Sequence, residues 1–190
     1  MQAARELFVR DGYESTSVAA IAERAGVSVD TVYASVGRKP EVVRAVIDDL
    51  LGEGRGEVPA EGRGYVEEIR AARTARAKLE TYAMALGRLQ PVLAPLVAAL
   101  RDAGQRDEAC RQAWSELVGR RAQNMRLLAA DLRSTGELRA DIDDQAVADI
   151  VWATNSHEYY LLLASRGWAA RRYAEHLADL WVRLLLDPSP

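Results

Sequence analysis

The chain has 190 residues, of which 49% are apolar and 28% charged, and its formal net charge is −3. This composition is typical of a folded protein and excludes a disordered or fibrous chain. Charged residues interrupt the apolar runs before they reach the ~18 residues that a membrane span requires, and no signal sequence opens the chain. We therefore expect a cytoplasmic protein without a membrane segment.

Cysteine and histidine usage predicts no metal site and no cofactor. Cys110 is the single cysteine and has no cysteine or histidine neighbour at ligand spacing, so we expect it to be a buried small side chain. His157 and His176 stand nineteen positions apart, a separation that favours solvated surface residues over metal ligands.

The first predicted helix covers residues 2–11, with Leu7 and Phe8 packed inward. Few turns precede Gly12, which indicates a first helix shortened at its N-terminus. A second helix is predicted over residues 18–25, because Ser17 is a residue type that caps helices and Gly26 takes the left-handed conformation that ends them. Its apolar residues recur at helical spacing and are Val18, Ile21, Ala22 and Ala25.

A third helix is predicted over residues 28–35, capped by Ser28, with Val32 and Val36 facing inward. The outward residues are short, polar or hydrogen-bonding, as a helix in the major groove of DNA requires. They are Val29, Asp30, Thr31, Tyr33 and Ser35. Two short helices around a glycine turn therefore predict a helix-turn-helix.

About a dozen positions in the first fifty residues resemble the N-terminal domain of the tetracycline-repressor (TetR) family of bacterial transcription regulators. They are Gly12-Tyr13, Thr16-Ser17, Ile21-Ala22, Ala25-Gly26-Val27-Ser28, Thr31-Val32-Tyr33 and Lys39. Three positions depart from the family pattern: Asp30 replaces the usual Gly, Val36 replaces the usual Phe, and Pro40 follows Lys39. The resemblance implies a DNA-binding domain joined to a helical domain that binds an effector and dimerises.

Eight residues are expected to contact DNA on the basis of this resemblance. Tyr33 and Lys39 would hold phosphates, residues 28–31 would approach base edges, and a helix N-terminus would add contacts. The full set is Thr16, Ser17, Ser28, Val29, Asp30, Thr31, Tyr33 and Lys39. Residues 1–50 carry six basic and eight acidic side chains, however, whereas DNA-binding domains are usually basic.

Helix four is predicted to begin near Pro40, and the Gly-rich stretch 52–64 is a boundary by composition. The sequence thus predicts a DNA-binding domain over 1–51, a linker over 52–64, and a ligand-binding and dimerisation domain over 65–190. Further helices are predicted at 66–72, 75–89, from Pro91 to about 101, at 107–134, 144–164, and to about 186. The predicted fold is all-α, with nine or ten helices.

Arg121 interrupts an otherwise apolar helical stripe and is the best clue to a ligand cavity, because a buried charge must be matched by a partner. The resemblance places the effector among central helices that carry further candidates. The proposed ligand set is Tyr82, Trp114, Arg121, Met125, Trp152, Asn155 and Tyr159. The alternative is that these side chains are simply core. Aromatic walls predict a hydrophobic or aromatic effector, and Arg121 leaves room for a carboxylate on it.

The last two helices are apolar over more than one face, which indicates partners on several sides. In the family that the chain resembles, two such helices from each subunit form a four-helix bundle. The proposed interface is Tyr160, Tyr173, Leu177, Leu180, Trp181 and Leu184. The alternative is a wholly intramolecular core.

Three classes of function remain. A ligand-responsive repressor on a palindromic operator is favoured by the helix-turn-helix. An enzyme requires a convergent nucleophile, base or metal set, and the sequence contains no such motif. A helical adaptor protein with weakened or lost DNA binding is the alternative, and the acidic N-terminal region and Asp30 favour it.

Overall fold

A computed structural model describes residues 1–187, and its regular secondary structure is helical, so the all-α prediction is confirmed. The ten α-helices of this range are α1 (Gln2–Ser15), α2 (Val18–Ala25), α3 (Val29–Ser35), α4 (Lys39–Leu51), α5 (Gly64–Ala71), α6 (Ala75–Ala103), α7 (Glu108–Arg133), α8 (Asp144–Thr154), α9 (His157–Ser165) and α10 (Ala170–Leu185). A single 3₁₀ turn, Ala60–Gly62, precedes α5. The described residues contain no strand, and their one β-type pairing is an isolated bridge between Leu138 and Leu186.

The chain forms two compact units. The N-terminal unit combines Met1–Pro59 with Val92–Leu117, and the C-terminal unit combines Ala60–Pro91 with residues 118–187. Helices α6 and α7 are long enough to contribute residues to both units, so neither unit is one continuous stretch. The linear division predicted above stays a prediction, and residues 188–190 of its last domain lie outside the described residues.

In the helix-turn-helix, α2 has the predicted bounds and α3 begins one residue later than predicted, at Val29. Ser17 caps α2 by accepting a hydrogen bond from the Ala20 amide at 3.0 Å, and Ser28 caps α3 by accepting one from the Thr31 amide at 3.1 Å. Gly26 takes the left-handed conformation between the two helices, with φ 68° and ψ 30°. These three local signals confirm the predicted turn between α2 and α3.

Helix α1 continues beyond its predicted end, to Ser15, with a break in helical geometry at Gly12 (φ 78°, ψ 169°). The continuation buries Tyr13, whose ring stacks on Phe8 with centroids 5.8 Å apart. Together with the apolar faces of α2 and α4, these two rings form the core around the helix-turn-helix. The break at Gly12 matches the predicted end of the first helix at residue 11, and the turn from Tyr13 to Ser15 after the break was not predicted.

Helix α6 runs through Pro91, where the sequence predicts a break. The missing amide of Pro91 leaves the carbonyl of Gly87 without its usual helical donor. Buried leucines on both sides, Leu86 and Leu93, favour continuation of the helix across this defect. Gly87 also allows α10 to approach closely, since a Cβ there would lie 2.8 Å from that of Ala174.

Helix α6 is also the one described helix that is long and apolar enough to cross a membrane, in spite of Arg88. Half of its apolar window is buried inside the folded chain. The core helix of a folded protein has this same composition, because an interior helix is apolar around most of its girth.

The left-handed turn at Gly26 provides a test of the fold. A Cβ at Gly26 would meet no atom within 4 Å, so Gly26→Ala should destabilise the protein through backbone strain alone, by roughly 1 kcal/mol. Gly119 is the matched control, because it lies inside α7 with ordinary φ and equally open space. Gly119→Ala should stabilise by about 0.5–1 kcal/mol, through its higher helix propensity.

Urea unfolding of both variants measures these changes in free energy. Equal effects of the two substitutions would show that the turn does not impose the left-handed conformation.

Candidate DNA-reading surface and ligand site

The outer face of α3 is open to solvent. Val29 and Tyr33 are 36% and 49% exposed, whereas Val32 is 6% exposed and packs into the core. The hydroxyls of Ser28 and Thr31 lie 2.8 Å apart at the N-terminus of this helix. Asp30 is exposed in its first turn. The face therefore presents hydroxyls, a phenol, an apolar side chain and one carboxylate.

Thr16 and Ser17 differ in their access to a ligand. Thr16 is 2% exposed, and its hydroxyl donates to the carbonyl of Gly12 at 2.8 Å. Ser17 is exposed at the N-terminus of α2 and accepts from the Ala20 amide. Thr16 therefore closes the end of α1, and Ser17 is the member of this pair that lies at the surface.

Lys39 is held by residues of α1. Its ammonium donates to the carbonyl of Glu14 at 3.2 Å and lies 4.3 Å from the centroid of the Tyr13 ring. Burial lowers the pKa of Lys39. The Tyr13 hydroxyl in turn lies 3.2 Å from the Cys110 Sγ, and Cys110 is fully buried as predicted. An ammonium has three N–H donors, so Lys39 can hold the end of α1 and still contact a phosphate.

Arg38, which the sequence prediction missed, lines a surface hollow together with Tyr33, Gly37 and Glu41. Its position next to Lys39 in the turn before α4 is the sequence signal that could have found it. Arg38 is exposed and stands at the N-cap of α4. Arg38 therefore adds a positive charge beside Tyr33, next to the open face of α3.

Much of the acidity of the N-terminal unit is paired within it. Glu6 accepts from Arg24 at 2.7 Å, and Asp11 accepts from the neighbouring Arg10 at the same distance. Arg24 lowers the pKa of Glu6, and Arg10 lowers the pKa of Asp11. These carboxylates are thereby matched by neighbouring guanidinium groups.

In the C-terminal unit, Asn155 is the centre of a buried polar cluster. It is 1% exposed, and its side-chain oxygen accepts from Arg121 at 2.6 Å. Its side-chain nitrogen donates to the Tyr82 hydroxyl at 2.9 Å and to the Met125 Sδ at 3.0 Å. Four of the predicted ligand residues are thus brought together. The Arg121 guanidinium also bonds the Trp152 carbonyl at 3.0 Å.

Gln90 and His157 belong to the same cluster. The sequence prediction missed Gln90 and wrongly placed His157 on the solvated surface, whereas it is only partly exposed and pairs with Gln90. Gln90 is fully buried and donates from Nε2 to the backbone carbonyl of Asn155 at 2.9 Å. Its Oε1 lies 2.9 Å from His157 Nδ1, so the neutral histidine carries its proton on Nδ1. Burial and the positive charge of Arg121 lower the pKa of His157 to about 4. Gln90 stands out only as a polar residue within an apolar run.

Two predicted ligand residues lie apart from this cluster. Trp114 belongs to the N-terminal unit and packs against the core that surrounds the helix-turn-helix. The Tyr159 hydroxyl lies 2.7 Å from His176 Nε2, and the two rings stack. The structure therefore joins Tyr82, Arg121, Met125, Trp152 and Asn155 but does not add these two.

The proposed interface residues divide into buried and accessible sets. Tyr173, Leu177 and Trp181 are fully buried within one chain, and Tyr160 is nearly so. Trp181 stacks on Tyr82 with centroids 5.6 Å apart and donates to the Thr154 hydroxyl at 2.7 Å. Leu180 is partly exposed and Leu184 is 40% exposed. Only these two leucines present side chains that a second chain could cover.

Among residues 1–187, no group of three or more His, Cys, Asp and Glu side chains is arranged to hold a metal ion. His157 and His176 instead have separate partners, Gln90 and Tyr159.

Residues 1–46 match the family model of bacterial regulatory proteins, tetR family. This match covers the helix-turn-helix and confirms the resemblance stated on its residues. No curated protein is similar enough in sequence to match the chain.

Solved structures with the same fold include several bacterial regulators. A TetR-family transcriptional regulator from a Rhodococcus species is 18% identical, with a TM-score of 0.73 over 98% of this chain and 95% of that one. A transcriptional regulator from Saccharomonospora viridis, in complex with choline, is 19% identical, with a TM-score of 0.71 over the same shares. FadR from Bacillus subtilis, in complex with stearoyl-CoA, is 19% identical, with a TM-score of 0.70 over 95% of each chain.

The depressed pKa of His157 makes stability depend on pH. Between its ordinary pKa of 6.5 and its folded value of about 4, the unfolded chain takes up a proton that the folded chain does not. The free energy of unfolding should therefore fall by about 2 kcal/mol from this group as the pH drops from 7 to 5. In His157→Gln, the free energy of unfolding should not show this decrease between pH 7 and pH 5.

Urea unfolding at pH 7 and pH 5 measures this decrease in the wild type and in His157→Gln. Carboxylates contribute equally to both proteins, so their effect cancels in the difference. The same pH dependence in the wild type and in His157→Gln would contradict a partly buried, neutral His157 in the folded protein.

Proposed function

We propose that this TetR-family transcriptional regulator is a repressor, which binds a near-palindromic operator as a cytoplasmic homodimer and is released by a small hydrophobic or aromatic molecule. The observation that carries the proposal is the open face of α3, held by two serine caps and the Gly26 turn within the residues that match the family. A short, rigid helix with hydroxyls and a phenol on its outer face suits the major groove.

Short-range hydrogen bonds would supply the contacts to DNA. Ser28, Val29, Asp30 and Thr31 would approach base edges, where the Asp30 carboxylate can accept from cytosine N4. Tyr33 and Lys39 would contact phosphates, with Arg38 as an additional cation beside them. Ser17 would contact a phosphate at the N-terminus of α2, where free amides favour anions.

A homodimer would place two recognition helices on successive major grooves, about 34–36 Å apart. The accessible leucines of the last two helices support such a pairing: Leu162 of α9 is 64% exposed and Leu184 of α10 is 40% exposed. Leu180 lies on the same helix as Leu184 and is partly exposed. Trp181 and Leu177 would stabilise this surface from beneath, as core residues of each chain.

Effector binding would act through the C-terminal unit. Helices α6 and α7 contribute residues to both units, so a change in their position would be carried along continuous helix. The effector need only prefer the conformation that does not bind DNA, and a hundredfold preference corresponds to about 2.7 kcal/mol. The two ligand-bound regulators of the same fold hold choline and stearoyl-CoA, so this architecture accommodates ligands of very different chemistry.

The alternative is a helical adaptor protein that has lost DNA binding. The net negative charge of residues 1–50 and the exposed Asp30 carboxylate on α3 favour it. Gel-shift titration at several salt concentrations separates the two functions. Affinity that falls with salt supports phosphate contacts, whereas no binding at any salt concentration would favour the adaptor.

Substitutions on the open face give a sharper test of DNA binding. Tyr33→Ala should weaken operator binding roughly tenfold or more, because a hydrogen bond to a charged group such as a phosphate is worth ~1.5–3 kcal/mol. Lys39→Gln should reduce the slope of log affinity against log salt by about 1. Val9→Ala, at an apolar residue of α1 that is 55% exposed, is the control and should leave binding unchanged.

These affinities are measured on an operator fragment selected from random-sequence DNA. Unchanged affinity in both Tyr33→Ala and Lys39→Gln would remove α3 and its flanking turn from the DNA-contacting surface.

The dimer proposal is tested by charge on the accessible leucines. Leu184→Arg and Leu162→Arg should convert the protein to a monomer at micromolar concentration, because an unpaired charge would be buried at the interface. Leu127→Arg, at a leucine of α7 that is 61% exposed, is the matched control and should leave the dimer intact.

Light scattering measures the mass of each variant. A wild-type monomer at this concentration, or a dimer that persists in both variants, would contradict the proposed interface. Trp181→Arg is not a useful probe, since it would unfold the core before it tested the interface.

A further inference from the structure

Arg121 is a half-buried cation whose described partners are all neutral. Its Nη1 donates to the Trp152 carbonyl at 3.0 Å and to the Asn155 side-chain oxygen at 2.6 Å. None of its hydrogen bonds or ion pairs within residues 1–187 involves a carboxylate. Partial burial of a charge is costly unless a hydrogen-bonded opposite charge accompanies it, and Glu158 acts on Arg121 only through coulombic attraction, so the site favours a directly bound anion.

The unused edge of the guanidinium is available to a ligand. Arginine has five N–H donors, and the two hydrogen bonds here both come from Nη1. Nε and Nη2 are not among the fully buried polar atoms that lack a hydrogen-bond partner, and the side chain is partly exposed. Nε and Nη2 together form the planar fork that binds the two oxygens of a carboxylate.

Trp152 supplies an aromatic surface beside this fork. Its ring centroid lies 4.8 Å from the Arg121 guanidinium carbon, within the range of a cation–π contact. The indole N–H of Trp152 is buried and has no hydrogen-bond partner. An aromatic face, a spare donor and a cation with a free edge therefore stand together in the C-terminal unit.

We propose that the effector carries a single carboxylate, which binds the Nε–Nη2 edge of Arg121, and a flat apolar body, which packs beside Trp152. The inference rests on the proposed function, because it assigns the chemical class of the effector. Arg121 supplies one positive charge, and the carboxylate of Glu158 already adds negative potential around it. A monovalent carboxylate therefore suits the site better than a phosphate monoester, which carries more negative charge.

A positively charged effector is excluded by the same charge argument. A quaternary ammonium group placed against Arg121 would meet a cation rather than the open aromatic face that such ligands require. The choline-bound regulator of the same fold therefore does not predict the effector of this chain.

Matched pairs of acids and primary amides test the assignment. The probes are indole-3-acetate with indole-3-acetamide, cinnamate with cinnamamide, and 2-naphthoate with 2-naphthamide, each titrated calorimetrically into the full-length protein. Each pair shares its apolar body and differs in charge. At least one acid should bind, and its affinity should exceed that of its amide by tenfold or more.

Two substitutions assign this preference to Arg121. In Arg121→Gln the ratio of acid to amide affinity should fall to near one, and in Arg121→Lys it should be intermediate, because the charge remains but the planar fork is lost. Arg126→Gln, at an exposed arginine of the same helix, is the control and should keep the wild-type ratio. If Arg121→Gln fails to fold, Arg121→Lys and the wild-type ratio still decide the result.

A second experiment distinguishes failure of the carboxylate assignment from failure of the proposed repressor function. It measures the release of operator DNA by the same acids and amides, by phenyl phosphate and by choline. Binding of acids and amides with equal affinity, tighter binding of the phosphate or of choline, or binding of no acid at all would overturn the carboxylate assignment. Release of DNA by an amide or by choline would then leave the ligand-responsive repressor intact. Failure to bind any DNA would instead overturn the repressor.

Discussion

Satisfaction of buried polar groups in an apolar helical interior is the constraint on which the C-terminal unit depends. Asn155 meets it with both its backbone and its side chain, through hydrogen bonds with Gln90, Arg121, Tyr82 and Met125. Between the two helices, Ser156 takes an extended backbone conformation and its hydroxyl accepts from the Tyr159 amide at 3.1 Å, which caps a new helix. The chain therefore ends α8 at Thr154 and begins α9 at His157. The predicted single helix over 144–164 was wrong because Ser156 acts as a helix cap inside that range.

The N-terminal unit was predictable because its signals are local. Ser17, Gly26 and Ser28 each act on backbone groups within a few residues of themselves, so their types and spacing determine where α2 and α3 begin and end. The Asn155 cluster is different, because Gln90 lies 65 positions from Asn155 in the chain. No periodicity in either segment indicates that these two residues meet. Sequence reasoning therefore found Arg121 as a polar interruption but missed Gln90 and His157.

Periodicity also cannot separate a core from an interface. Leu177, Leu180, Trp181 and Leu184 follow one another at helical spacing, and the pattern predicts only that this face of α10 is covered. The structure divides the face: Leu177 and Trp181 are fully buried in one chain, while Leu184 remains exposed. The reason lies in Tyr82, whose ring stacks on Trp181 from a distant helix. Long-range partners decide which apolar residues remain for a second subunit.

The acidic balance of the first fifty residues has a physical consequence for how this domain would meet DNA. Arg10 and Arg24 are engaged by carboxylates of the same unit, and Lys39 holds the end of α1. These ion pairs cancel acids that would repel phosphate, but they also occupy cations that would attract it. In the proposed complex such a surface would displace few counterions, so the proposed contacts would rely chiefly on short-range hydrogen bonds of hydroxyls and helix N-termini. Specificity in that complex would depend on how the Gly26 turn and the Ser28 cap position α3.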